Sequence, residues 1–328
     1  MAQTRRIHAW RWHQSGIVAP GAPAIVAASR VTAVRIVRSL RPDRWIQNLI
    51  VFAGLLFGGR ILEPESVWRA AVTFAIFCGL SSALYLLNDI SDRDTDRRHP
   101  LKRMRPLASE RLAPRAALVA TAVIIAAVLA AAVWVRPMLV FAAASYFALG
   151  VLYSLTLRHV VIVDVLAIAC SFVIRAAAGA IALTVPIDHW LLVCTTLLAL
   201  FLALSKRRHE LTLPAERAAD HRRVLGEYSP YLLDQMLAIV GASVLLAYCV
   251  YTISPDTTTK VGAPTLGLTI PFVLYGILRY LYLVHQRFGG GNAAAILLAD
   301  RPLLACVMLW ALSITLILYA RAFGWRYS

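Results

Sequence analysis

Acidic residues are scarce in this chain, 17 Asp and Glu against 33 Lys and Arg, and charge of either sign makes up only 15% of its 328 residues. With 60% of the residues hydrophobic, that shortage excludes an ordinary soluble domain and points to an all-α, polytopic membrane protein. Cysteine is sparse and badly spaced for chemistry. Cys78, Cys170, Cys194, Cys249 and Cys306 each lie inside an apolar run, with no C-x-x-C pair and no histidine at ligand spacing. They read as packing residues, not as disulfides or metal ligands. There is no low-complexity tract, no short-period repeat and no separate soluble domain. The run Phe288 to Asn292, FGGGN, has neither a preceding strand nor a G-K-[ST] sequel, so it reads as a flexible connection and not as a phosphate loop. His189 and His285 stand alone at span edges and are assigned no role. A net charge of +16 would suit nucleic acid. The cations cluster at the ends of apolar segments, however, where membrane topology and anionic lipid account for them, so no nucleic-acid partner is expected.

Residues 1–40 carry Arg5, Arg6, Arg11, Arg30, Arg35 and Arg38, and their apolar stretch from Ile17 to Ala28 is interrupted by Pro20, Gly21 and Pro23. That is too broken for a signal peptide, and a basic, partly disordered cytoplasmic segment leading into a surface helix is expected. Residues 41–328 are expected to form one transmembrane domain of about nine helices. The expected spans are 46–61, 68–88, 115–135, 137–155, 161–184, 189–206, 231–253, 265–285 and 302–322. Arg and Lys crowd the N-terminal segment, the loop after the second span and the loop after the sixth. The opposite side holds Arg60, Arg69, Arg136, Lys260, Arg321 and Arg326. This asymmetry puts the N-terminus and both charged loops in the cytoplasm of a cell-membrane protein.

The second span runs into Asn88 to Pro106, NDISDRDTDRRHPLKRMRP. At about 100° per residue, a continuing helix gathers Asn88, Asp89, Asp92 and Asp96 within an arc of about 100° and leaves Asp94 outside it. Carboxylates crowded in this way repel one another unless a cation sits among them, and oxygen-only ligands favour a hard ion such as Mg2+. Mg2+ usually reaches protein through one or two carboxylates and fills its other positions with water and substrate phosphate. A diphosphate substrate is therefore expected, with Arg97, Arg98, Lys102, Arg103 and Arg105 available to its oxygens. The bland alternative is a solvated membrane-flanking loop whose Asp and Arg pair. Such a loop needs the cations but not the spaced carboxylates.

A second polar cluster closes the sixth span: Ser205, Lys206, Arg207, Arg208, His209 and Glu210, with Glu227, Tyr228 and Asp234 beyond. Lys206 and Glu210 are one helical turn apart, as in a surface ion pair. Lying on the same side of the membrane as the first cluster, they also suit a second half-site across a cavity. Ionisable residues inside spans are costly and so informative. Arg175 lies at mid-membrane in the fifth span, Asp164 near its start, and Arg158 and His159 just before it. Gln47 and Asn48, after Trp45 in the approach to the first span, are unusual decorations for a plain aromatic anchor and join the candidate substrate contacts.

Together these residues resemble the UbiA superfamily of intramembrane polyprenyl-group transferases. Asn88, Asp89, Asp92 and Asp96 match its N-D-x-x-D-x-x-x-D motif, Leu40 to Asn48 reads L-R-P-x-x-W-x-x-N, and Arg175 to Gly179 reads R-x-x-x-G. The resemblance implies nine helices around a cavity open to the membrane, with Mg2+ bridging aspartates and a diphosphate. Most members carry D-x-x-x-D after the sixth helix, where this chain has Lys206 to Glu210. That departure, His99 to Pro106 (H-P-x-K-R-x-R-P) and Asp300-Arg301-Pro302 resemble the decaprenyl-phosphate phosphoribosyltransferase branch. This resemblance implies transfer of a 5-phosphoribosyl group from phosphoribosyl pyrophosphate to a polyprenyl phosphate, towards cell-wall arabinan precursors. Asp89, Asp92 and Asp96, assisted by Asn88, would hold the metal, with Lys206 and Glu210 as the opposite catalytic wall. Lys102, Arg103, Arg105, Arg97, Arg207 and Arg175 would bind substrate. A homo-oligomer is compatible with all of this. The competing enzyme is a prenyltransferase joining a prenyl diphosphate to an aromatic, quinone or haem precursor. The competing class is a lipid-phosphate or anion transporter, against which stands the lack of paired broken helices.

Overall fold

The computed structural model describes residues 35–37, 39–98, 102–186, 189–212, 223–254, 264–287 and 293–319. Most of the basic N-terminal segment, the His99-Pro100-Leu101 half of the branch motif, Lys260, the glycine run and both Arg321 and Arg326 lie outside the described residues. The described elements are helical. A 3-10 helix, Pro42–Phe52, leads into α1 (Ala53–Phe57), followed by α2 (Pro64–Ser91) and the short α3 (Arg93–Arg98). Then come α4 (Pro114–Val135), α5 (Pro137–Leu155), α6 (Val163–Leu183), α7 (His189–Leu211) and α8 (Pro230–Ile253). The chain continues with α9 (Ile270–Gln286), α10 (Ala293–Ala299) and α11 (Arg301–Tyr319). Proline opens α2, α4, α5 and α8, where its missing N–H is one the helix leaves unpaired anyway.

Among the described residues eight helices are long and apolar enough to cross a membrane, and the protein is multi-pass. The first expected span, 46–61, differs in kind: it is the 3-10 helix and α1. Eleven residues at ~2.0 Å and five at ~1.5 Å still reach about 30 Å, close to the hydrocarbon thickness.

Two apolar cores organise the bundle. One joins the 3-10 helix, α2, α4, α5 and α6 through Val51, Phe77, Leu80, Ala132, Leu139 and Ala178. The other joins α6 to α11 through Val165, Phe201, Leu233, Leu237, Ile277 and Leu303. Large apolar side chains such as Trp68, Trp134 and Phe141 point outward, as a lipid-facing surface requires. Between helices in lipid there is little hydrophobic drive, so close approach depends on small residues. α6 supplies them: a Cβ on Gly179 would sit 2.0 Å from the Val51 carbonyl oxygen, and one on Gly54 would sit 2.9 Å from the Ala180 nitrogen. The 3-10 helix therefore docks backbone to backbone on α6.

Gly179→Ala should lower the melting temperature of the detergent-solubilised protein, at a cost of about 1–3 kcal/mol from overpacking. Gly276→Ala, where a Cβ meets nothing within 4 Å, should melt like the parent.

Candidate active site

A 3-10 helix has three residues per turn, so side chains three apart share a face. Trp45, Asn48 and Val51 form the face turned into the bundle. The Trp45 indole donates to Ser82 Oγ at 3.1 Å, and Asn48 and Val51 are buried. The other two faces, Arg44, Gln47, Ile50 and Ala53 with Ile46, Leu49 and Phe52, line a cavity of about 1570 Å3. Gln47 and Asn48, adjacent in sequence, thus have different surroundings: Gln47 borders the cavity, whereas Asn48 does not. The Asn48 Oδ1 accepts from Arg175 Nη1 at 2.9 Å and its amide donates to Cys78 Sγ at 3.3 Å. Trp45 is a docking residue on α2 and not a membrane-surface anchor.

Asn88, Asp89, Asp92 and Asp96 all line that cavity. α2 ends at Ser91, yet the helical ladder carries across the break: Asp92 N–H donates to Asn88 O and Asp96 N–H to Asp92 O, each at 2.8 Å. The carboxylates consequently keep one face, while the Asp94 side chain is 85% exposed. Asp89 and Asp96 are each only 3% exposed. Arg105 Nη1 reaches Asp96 Oδ2 at 2.6 Å and Asp89 Oδ1 at 3.3 Å, and Arg41 Nη2 reaches Asp89 Oδ1 at 2.5 Å. Arg158 faces Asp92 at 3.9 Å. Buried carboxylates require compensating charge, and these guanidiniums provide it.

The donor set of three carboxylates and an amide oxygen fits Mg2+. Among the described residues no three acidic, His or Cys side chains converge on a single ion position. The fit is to an ion that takes one or two carboxylates here and its remaining ligands from phosphate and water.

Across the cavity lie Tyr153, Arg158, His159 and Lys206. Glu210 is not part of that lining, and neither is Arg207, which is 1% exposed. Arg207 Nε donates to Asp164 Oδ2 at 2.6 Å, Nη2 to the Tyr153 hydroxyl at 3.2 Å, and Nη1 to Glu210. A buried guanidinium spent on protein partners has no spare face for substrate, so the sequence expectation for Arg207 changes to an internal anchor that draws Glu210 back. Asp164, fully buried, also accepts from the Tyr228 hydroxyl at 3.0 Å. Burial pushes the Tyr228 phenol up to about 12, so it keeps the proton it donates.

Arg97 turns away to Glu110, Asp94 and the Ala108 carbonyl, and Arg103 is exposed; neither lines the cavity, whereas Lys102 and Arg105 do. Arg175 borders the cavity but is 3% exposed. It donates to Ser171 O, Gln47 O and Asn48 Oδ1 and lies 4.1 Å over the Phe172 ring. Its first role is to clasp the 3-10 helix one turn from Gly179. Sequence reasoning passed over Arg41, Arg44 and Tyr85, which line the cavity, and gave Arg158 and His159 no role. Arg41 lay in plain view in L-R-P, where it takes φ 53°, ψ 62° directly before proline. Its guanidinium lies 4.9 Å over the Tyr85 ring.

Below the charged end the cavity is apolar and aromatic, through Leu198, Ile277, Tyr248, Tyr251, Trp310 and Phe57. A polar mouth with paired carboxylates above an apolar shaft suits a phosphorylated lipid. Residues 48–296 match the model of the UbiA prenyltransferase family. The chain belongs to that family. It is therefore a membrane-embedded transferase of the UbiA superfamily. The decaprenyl-phosphate phosphoribosyltransferase of Mycolicibacterium smegmatis is 30% identical over 286 residues, covering 84% of this chain and 89% of its own. The enzyme of the same name from Mycobacterium tuberculosis is 30% identical over 280 residues, 84% and 91% respectively. A UbiA homolog from Archaeoglobus fulgidus, solved with GPP and Mg2+, superimposes with a TM-score of 0.63 at 17% identity over 87% of this chain and 98% of that one. The UbiA fold is thus shared, and the side chains that border the cavity carry whatever is particular to this chain.

Arg105→Ala strips Asp89 and Asp96 of their shared partner. It should cost about 1–3 kcal/mol in metal-free protein, and Mg2+ should then raise its melting temperature more than the parent's, as read by thermal melts in chelator and in Mg2+.

Proposed function

We propose that this protein transfers a 5-phosphoribosyl group from phosphoribosyl pyrophosphate to a polyprenyl phosphate such as decaprenyl phosphate, releasing pyrophosphate. The observation that carries this reading is a second set of cations facing the carboxylates: Arg158 and Lys206 border the cavity beside His159, while Glu210, 4.0 Å from Lys206, does not. A prenyl diphosphate with a neutral aromatic acceptor brings one phosphorylated group to the cavity. A phosphoribosyl donor and a lipid phosphate bring three, so cations on both walls are needed. The names of the relatives at 30% identity support the same assignment.

In this reading one or two of the carboxylates of Asp89, Asp92 and Asp96, with Asn88, would hold Mg2+, which when bound would supply positive charge to the leaving diphosphate. Arg41, Lys102 and Arg105 neutralise the remaining diphosphate oxygens once their carboxylates have another cation to face. The anomeric C–O bond to diphosphate breaks through an oxocarbenium-like state, and a lipid phosphate oxygen forms the new bond. That oxygen is already anionic, so no general base is required, and positioning with charge stabilisation makes up the catalysis. Lys206 and His159 hold the lipid phosphate on the far wall, and Arg158, 3.9 Å from Asp92, reaches from it to the diphosphate. The apolar shaft below takes the first isoprene units of the tail. Positive charge at this end supports a site at the cytoplasmic face of the cell membrane, where a soluble phosphoribosyl donor is at hand. The product is then a precursor of cell-wall arabinan.

Purified protein supplied with Mg2+, radiolabelled phosphoribosyl pyrophosphate and polyprenyl phosphate should form labelled lipid. No labelled lipid, together with activity on a prenyl diphosphate and an aromatic acceptor, sinks this assignment. Asp92→Ala and Asp96→Ala should abolish turnover while leaving the melting temperature near the parent's or lower by a few degrees at most, whereas Asp94→Ala should stay within about twofold of the parent rate, as surface changes usually do.

A further inference from the structure

A buried polar cluster that the proposed transfer reaction does not use lies where α5, α6, α7 and the 223–227 turn meet. Asp164 there is gripped by Arg207 on one oxygen and by the Tyr228 hydroxyl on the other. The same hydroxyl accepts the Ile162 backbone N–H at 2.7 Å. Ile162 has φ 68° and ψ −44°, and Val163 N–H reaches back to the Val161 carbonyl at 2.8 Å. This is a γ-turn of the rare positive-φ kind, centred on a β-branched residue. Such a conformation persists only where the surroundings over-determine it, and it tends to occur where geometry serves function. Asp164, Arg207 and Tyr228 do not line the cavity. The two residues presented by the turn that leads into this kink do: Arg158, facing Asp92, and His159, which accepts from Arg158 Nε at 3.1 Å.

We infer that Asp164, Arg207 and Tyr228 are positioning residues that lock the 157–162 turn so that Arg158 meets a diphosphate held at the carboxylate wall. This rests on the proposed function only in requiring a diphosphate at that wall. A merely structural cluster would stabilise the bundle without tuning Arg158. A positioning cluster must act through it.

The test is a double-mutant cycle on the full chain in detergent, with magnesium pyrophosphate as the titrant in calorimetry. Tyr228→Phe keeps the buried ring and removes the hydroxyl that serves both Ile162 and Asp164. Tyr228→Phe and Arg158→Ala should each weaken binding about tenfold, the scale of one hydrogen bond to a charged group. The double variant should bind no more weakly than Arg158→Ala alone. Ile162→Gly relieves the backbone conformation and frees the turn, so it should fold at least as well as the parent and still bind more weakly. It decides the question if Tyr228→Phe yields no folded protein. Parent-like binding by Tyr228→Phe and by Ile162→Gly, or full additivity with Arg158→Ala, overturns the inference. Pyrophosphate leaves any diphosphate donor, so the cycle is independent of whether the donor is phosphoribosyl or prenyl. A parent protein that binds no magnesium pyrophosphate overturns the diphosphate reading of the wall together with the inference.

Discussion

A charge placed at the end of a membrane helix must be cancelled by something, and the architecture of this protein can be followed from how each one is. Asp89 and Asp96 share Arg105, and Asp89 takes Arg41 as well. Asp164 takes Arg207. Among the described residues Arg175 hydrogen-bonds no carboxylate and is satisfied by carbonyls, the Asn48 amide oxygen and an aromatic face. Each arrangement ties together elements distant in sequence: Arg41 with α2, Arg207 with α6, Arg175 with the 3-10 helix. Breaking any one strands a desolvated charge, which costs far more than a surface ion pair returns. The charges therefore serve as staples as well as chemistry, and the two uses cannot be fully separated in a site built at a membrane boundary.

The 3-10 helix is where packing and site meet. Its three-residue repeat divides its side chains cleanly into one docking face and two cavity faces, which a 3.6-residue repeat would smear around the helix. The docking face needs α6 to come within backbone contact, and Gly179 makes that possible. Arg175, one turn earlier on α6, closes the same contact with the Gln47 carbonyl and Asn48. The R-x-x-x-G and W-x-x-N patterns are thus two sides of a single joint that sets one wall of the cavity.

The two walls of the charged end are chemically unlike. On one, the carboxylates of α2 and α3 are neutralised by Arg41 and Arg105, which makes a mixed surface. On the facing wall Glu210 is drawn out of the lining by Arg207 and pairs with Lys206 at 4.0 Å from behind, while Lys206, Arg158 and His159 border the cavity. A fold common to many transferases is in this way given its charge pattern by a few residues at helix ends and in the turns beside them, while the apolar shaft beneath stays generic.

Much of this was legible in the sequence, because hydropathy and charge act locally. Apolar runs gave the membrane helices to within a few residues, and Asn88, Asp89, Asp92 and Asp96 fell on one face because a helix turns by a fixed angle whatever it packs against. Three things needed the tertiary structure. The 3-10 form of Pro42–Phe52, docked backbone to backbone on α6, separates Asn48 from Gln47. The fate of Arg207 and Glu210 depends on Asp164, more than forty residues away on another helix, so the family resemblance, which implies Arg207 as a substrate contact and Glu210 as part of the catalytic wall, does not reveal it. Arg41 and Arg158 reach the carboxylates across 48 and 66 positions of chain, Asp89 and Asp92 being their partners. A local pattern can name the charges a site contains; only the packed bundle decides which of them face the cavity and which are spent holding it together.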